Sequence, residues 1–143
     1  MNNRPRPLCS ITRPTAIVLA GGKGTRLQQM VSDRPKVLAE VNGKPFLSYI
    51  LDKFHEAGIT SVILATGHMG RQIRDTFQVS YKSLSIQYSH ETEALDTGGA
   101  LRQAVCYADS DTVLVMNGDS YSDIDLTHYL KWHNQKNLDA SVL

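Results

Sequence analysis

The chain has 143 residues, with 15 Lys+Arg, 14 Asp+Glu and five His for a net charge of +1, and is 41% hydrophobic and 20% charged. That balance suits one globular domain with a real core and hardly two, gives no basic face for nucleic acid, and includes no apolar run long enough for a membrane span. The two cysteines, Cys9 and Cys106, lack CxxC spacing and cannot build a disulfide framework or a zinc site, so a reducing, cytoplasmic setting fits best.

Residues 1–14 hold Pro5, Pro7 and Pro14 with Arg4, Arg6 and Arg13. They read as a disordered basic, proline-rich extension without the apolar stretch of a secretory signal. A domain is expected over 15–143. Ala16 to Leu19 reads as a buried strand that ends in Ala20-Gly21-Gly22. Val37 to Val41 reads as an extended piece closed by the turn signal Asn42-Gly43. Pro45 to Ala57 is expected to be a helix, with Phe46, Leu47, Ile50, Leu51 and Phe54 as its apolar stripe. Ser61 to Thr66 is a second buried strand and Gly70 to Phe77 a short helix. Ser85 to Ser89 alternates like a strand. A helix is expected over Gly99 to Ala108 through Leu101, Ala104, Val105 and Ala108. Thr112 to Met116 is a further strand, leading into Asn117-Gly118-Asp119. Asp125 should cap a helix reaching about Lys136. Ala140 to Leu143 looks like the start of another strand.

Strands alternating with helices, the strands continuously apolar, imply an α/β fold. The sheet should be doubly wound and mostly parallel, with helices on both faces. The uncovered apolar run at Val142-Leu143 suggests an N-terminal portion of a longer protein, its sheet incomplete at the C-terminus. Ligands of such sheets sit beyond the carboxyl ends of the strands, where Gly21-Gly22, Gly67-His68 and Gly118-Asp119 fall.

The strongest chemical signal is LAGGKGTRL, Leu19 to Leu27. Its glycines let the backbone approach a ligand. Successive N–H groups in such a loop cradle anions. Thr25 adds a hydroxyl and Arg26 a fork for phosphate oxygens. Neither GxxxxGK[ST] nor GxGxxG is present. Lys36, after Pro35, supplies a second cation for the same site, although alone it would read as a surface lysine. Asp119 suits Mg²⁺, which takes one or two carboxylates together with substrate phosphates; a turn or cap role is the equal alternative. Thr97-Gly98-Gly99 opens a helix whose N–H groups could meet an anion or a base. Among the histidines, His68 could line the cleft, whereas His55 and His90 read as surface or structural. His128 and His133, five apart, fall on different helix faces. Cys106 reads as a core residue of its helix.

Four segments in this order resemble the sugar-phosphate nucleotidyltransferase family: LAGGKGTRL, RPKVLAEVNGKPFL (Arg34 to Leu47), ETEALDTGGAL (Glu91 to Leu101) and VLVMNGDS (Val113 to Ser120). The likeness runs from about Thr15 to the end of the chain. It is greatest to the D-glycero-D-manno-heptose 1-phosphate guanylyltransferases, with mannose-1-phosphate guanylyltransferases and glucose-1-phosphate thymidylyl- or uridylyltransferases close behind. The resemblance implies a Rossmann-like fold of the nucleotide-diphospho-sugar transferase type. It implies transfer of a nucleotidyl group from an NTP, GTP favoured, to a sugar 1-phosphate of heptose or mannose type, with Mg²⁺ as cofactor. Leu19, Ala20 and Gly21 would line the nucleoside pocket. Gly22, Gly24, Thr25 and Arg26 would hold the triphosphate, Lys36 would sit near the α-phosphate, and Thr97 and Gly98 would contact base or ribose. Arg26, Lys36 and Asp119 would be the catalytic residues, and Asp119 the metal ligand.

Two departures from the family pattern stand out. The third motif commonly reads Leu-Gly-Thr, and this chain has Leu95-Asp96-Thr97. The family's Glu-Lys-Pro lysine and second metal-binding Asp have no counterpart here. A non-catalytic nucleotide- or sugar-phosphate-binding module, or an inactive fragment, is therefore the competing reading. An unrelated cytidylyl- or guanylyltransferase with a similar LAGG loop is disfavoured by Gly43-Lys44-Pro45 and by the TGG segment. Neither membrane nor nucleic acid is expected as a partner, and a homo-oligomer is left open.

Overall fold

The computed structural model describes residues 13–22 and 34–143. The extension up to residue 12, Cys9, and the loop positions Gly24, Thr25 and Arg26 lie outside the described residues.

Strand β1 (Thr15–Leu19) is the axis of the molecule. It pairs in parallel with β4 (Ser61–Thr66) on one side and with β7 (Val113–Asn117) on the other. Beyond β4 lies the parallel strand β6 (Leu84–His90), and an antiparallel two-residue strand, β5 (Ser80–Tyr81), closes that edge. The order across the sheet is β5-β6-β4-β1-β7. A small separate hairpin joins β2 (Glu40–Val41) to β3 (Lys44–Pro45). Its two-residue loop has positive φ at both Asn42 (50°) and Gly43 (75°), the requirement of a type I′ turn and the reason Asn-Gly is favoured there.

The apolar strands split their side chains by the period of two. Ala16, Val18, Val62, Leu64, Leu84 and Ile86 face one way. On that side they meet Leu47, Ile50, Leu51 and Phe54 of α1 (Phe46–Glu56) and Ile73 and Phe77 of α2 (Gly70–Phe77). Leu126 of α4 (Leu126–Lys136) joins the same core. Ile17, Ile63 and Ala65 face the opposite way, against Ala104 of α3 (Asp96–Val105), with Leu101 and Ala108 partly buried beside them. The sheet is therefore mostly parallel with helices on both faces, as the alternation in the sequence implies. Asp125 caps α4, its Oδ1 accepting from the His128 N–H at 2.9 Å. No helix among the described residues is long and apolar enough to cross a membrane.

Four expectations are corrected. Residues 37–41 do not form one extended piece. Lys36–Leu38 is a 3-10 turn: Val37 and Leu38 both enter the same core cluster, whereas neighbouring side chains of a strand point to opposite faces. Helix α3 starts at Asp96 and ends at Val105, earlier than the apolar stripe suggests, and Val105 is left exposed. Cys106 is consequently the residue after the helix and faces solvent, its thiol 3.6 Å from the Arg102 carbonyl. Residues 140–143 contain no strand, and Val142 and Leu143 are exposed.

Candidate active site

The chain steps from β1 to β4 to β6 in one direction, with α1 and α2 on one face. It then crosses back by way of α3 on the other face and adds β7 to the far side of β1. The winding reverses between β1 and β7, and the crevice at their carboxyl ends is where this topology leaves room for a ligand.

The crevice is a cleft of about 580 Å³ lined by Leu19, Ala20, Gly21, Gly22, Lys36, Val37, Glu91, Ala94, Asp96, Thr97, Ala100, Asn117 and Asp119. Its floor is rigid. The Ala20 N–H donates to the Ala65 carbonyl at 2.8 Å, and the Gly118 N–H donates to the Leu19 carbonyl at 2.9 Å. The ladder thus continues past the strand ends and locks three of them together. Two positions leave little room for a side chain, Gly21 against the end of a glutamate side chain and Gly118 against backbone. A Cβ on Gly21 would lie 2.5 Å from Glu91 Oε1 and 3.2 Å from the Gly67 nitrogen, and one on Gly118 would lie 3.0 Å from the Leu19 carbonyl oxygen.

Lys36 is half-buried at the head of the 3-10 turn whose next two residues, Val37 and Leu38, anchor it in the core. Across the cleft, the Glu91 N–H donates to the Thr66 carbonyl at 2.8 Å, tying the loop before α3 to the end of β4. Glu91 Oε2 accepts from the Leu95 N–H at 3.2 Å, which fixes the carboxylate against Gly21. Gln103 Nε2 donates to the His90 carbonyl at 2.8 Å and holds α3 to the end of β6. Asp119 follows β7 directly, with the Ser120 hydroxyl 3.4 Å from its Oδ1.

Of the residues singled out from sequence, Leu19, Ala20, Gly21, Gly22, Lys36, Thr97 and Asp119 line this one cleft. Gly98 does not line it, and Gly24, Thr25 and Arg26 lie outside the described residues. His68 lines an adjoining cavity of about 530 Å³ instead, which shares Gly21, Glu91 and Ala94 with the first. Sequence reasoning gave no role to Glu91. The available signal was its place immediately after β6, at another strand end facing the same crevice.

The described lining carries one cation, Lys36, and three carboxylates, Glu91, Asp96 and Asp119. A triphosphate would be repelled by such a wall unless further positive charge arrived with it. Lys23 and Arg26 follow Gly22 in the sequence and lie outside the described residues. A divalent cation is one source of such charge. No group of three or more His, Cys, Asp or Glu side chains among the described residues could hold a metal alone. The donor set of Asp119, with its hard oxygens, fits a small cation that shares its coordination with phosphates.

Residues 15–143 match the model of the Nucleotidyl transferase family. The D-glycero-alpha-D-manno-heptose 1-phosphate guanylyltransferase of Campylobacter jejuni is 40% identical over 112 residues, 78% of this chain and 50% of the relative. The enzyme of the same description from Aneurinibacillus thermoaerophilus is 41% identical over 127 residues, 89% of this chain and 55% of the relative. The crystal structure of HddC from Yersinia pseudotuberculosis complexed with GMP-PN shares 30% identity at a TM-score of 0.75, covering 84% of this chain and 54% of that one. The chain thus spans about half the length of the curated relatives it matches. A match that takes in every strand and helix of the fold makes the chain a member of the nucleotidyl transferase family.

Proposed function

We propose that the chain is the nucleotide-binding half of a sugar-1-phosphate nucleotidyltransferase. It takes GTP and a sugar 1-phosphate of heptose or mannose type and yields a GDP-sugar and pyrophosphate, in the cytoplasm. The observation that carries this reading is the cleft at the β1/β7 reversal, where Gly21, Gly22, Lys36 and Asp119 meet.

A phosphate oxygen of the sugar phosphate attacks the α-phosphorus of the nucleotide. The bond from that phosphorus to the bridging oxygen breaks in line, and pyrophosphate leaves with its electron pair. The protein's part is to align two anions and to neutralise charge. Gly22, Gly24 and Thr25 would cradle the triphosphate, Arg26 would stabilise the departing pyrophosphate, and Lys36 would lie at the α-phosphate. Mg²⁺, held by Asp119 and the phosphates, would lower the repulsion between the reactants. Leu19, Ala20 and Gly21 would receive the nucleoside, and Thr97 and Gly98 the ribose or base. Glu91 supports the preference for GTP: a carboxylate only accepts, and guanine alone of the common bases offers adjacent ring and exocyclic N–H donors.

The competing reading is nucleotide binding without turnover. A pyrophosphate-release assay with Mg²⁺, each of GTP, UTP, dTTP and CTP, and a panel of sugar 1-phosphates separates the two. Release specific to GTP and one sugar, falling about 100-fold or more in Arg26→Ala, is the expected result. Mg²⁺-dependent GTP binding without release would establish the binding module. Neither release nor binding would overturn both readings.

A further inference from the structure

Asp119 opens the segment that runs from Gly118 to Asp125. Both ends of that segment are tied down, by the Gly118 N–H on the Leu19 carbonyl and by the Asp125 cap of α4. Its middle is met by a residue from α1. The Lys53 side chain is only 13% exposed, an unusual state for a lysine. Its ammonium lies 4.9 Å from the centroid of the exposed Tyr121 ring and 3.8 Å from Asp123 Oδ1. One charged group thus engages the loop twice, by a cation–π contact and by an ion pair.

We propose that Lys53 is a positioning residue for Asp119. From the rigid helix α1 it clamps Tyr121 and Asp123, and so fixes the loop that presents the Asp119 carboxylate to a metal-bound triphosphate. The proposal rests on the role given to Asp119 above. Metal ligands have to be held within about half an ångström to be effective, and a loop fastened only at its ends does not hold its interior that closely. Neither contact is strong alone, since an ion pair to so exposed a carboxylate contributes little. Their value lies in restraining one short segment.

The test uses the full chain as wild type, Lys53→Met, which keeps the aliphatic stem, and Lys53→Arg, which keeps the charge. Amide hydrogen exchange is read without nucleotide, and GTP affinity is measured by calorimetry in Mg²⁺ and in EDTA. In Lys53→Met, amides of residues 119–123 should exchange about tenfold faster while β1 and β4 stay unchanged. The gain in GTP affinity brought by Mg²⁺ should shrink about three- to tenfold, with affinity in EDTA unaltered. Lys53→Arg should restore both. Unchanged exchange, or equal losses in Mg²⁺ and EDTA, would overturn the clamp while leaving the role of Asp119 standing. A wild-type chain that binds GTP no better with Mg²⁺ than without would overturn the role of Asp119, and the proposal with it.

Discussion

Asp96 holds φ at +56°, in the left-handed region, at the first position of α3. The resembling family commonly has Gly there, and the backbone shows why. Left-handed geometry costs an ordinary L-residue about 1–2 kcal/mol, and Asp and Asn are the side chains that bear it best. The substitution therefore keeps the turn while placing a carboxylate on the cleft wall. Asp96→Gly should leave the melting temperature unchanged or raise it by a few degrees, whereas Asp96→Val should destabilise by about 1–2 kcal/mol. Paired thermal melts would check both. The same residues show what a sequence conveys at this scale. The place of Gly21, Gly22, Lys36 and Asp119 on one cleft was legible because their residue types and their positions near strand ends mark them. Glu91 was not, because its significance comes from lying against Gly21, a residue 70 positions earlier in the chain, which no local pattern encodes.

At the scale of elements, the hairpin of β5 and β6 is fastened to α1 by a polar staple. Lys82 Nζ lies 2.6 Å from Asp52 Oδ1, and the Tyr81 hydroxyl donates to the same oxygen at 3.0 Å. Partial burial pushes the Asp52 carboxyl upward, but the hydrogen bonds from Lys82 and Tyr81 and the Lys82 and Lys44 charges outweigh it and hold the group below its usual value. The hydrogen bond to Asp52 raises the Lys82 ammonium. Burial, then Asp52, raises the Tyr81 phenol. A depressed carboxylate stabilises the fold above its unfolded pKa and loses that contribution as pH falls through the folded one, below about 4. A raised ammonium stabilises below its unfolded pKa and loses its share as pH climbs past about 10. Asp52→Asn should thus lower the melting temperature by about 2–4 °C at pH 7, a modest value for a staple open to solvent, with the gap narrowing as pH falls below about 4. Melting curves of the two proteins across that range would show it. None of this was legible in the sequence. Strand β5 is two residues long, and the positive φ values at Gln78 (52°) and Lys82 (51°) that shape its hairpin occur at residues that are not turn formers. The longer pieces, β4 and α2, were legible to the residue, because an unbroken apolar run and a clean helical stripe each dictate one burial pattern.

At the scale of the whole molecule, stability is concentrated on one face. The cluster shared by α1, α2 and α4 is large, whereas the α3 side is built around Ile17, Ile63, Ala65 and Ala104. Leu64, fully buried in the central strand β4, belongs to the larger cluster. Leu64→Ala should cost about 2–5 kcal/mol, a large part of an ordinary domain's total. Urea unfolding should show the midpoint fall with little change in slope. The fold class was legible because alternating apolar runs and amphipathic stripes admit few arrangements, and right-handed crossovers prune those further. The strand order was not, since nothing local says that β7 returns to the far side of β1. That return has a consequence in time. The Asp119 wall of the cleft is joined to β1 by the β1–β7 pairing, whose partners lie about a hundred residues apart in the chain, and contacts of such separation are the slow ones to close. The adjacent pairings, β1 with β4 and β4 with β6, can zip while the chain is still collapsing, but the crevice exists only once the last parallel strand has docked. A nucleotide should therefore find no foothold on a partly folded chain, and its binding would report completion of the sheet.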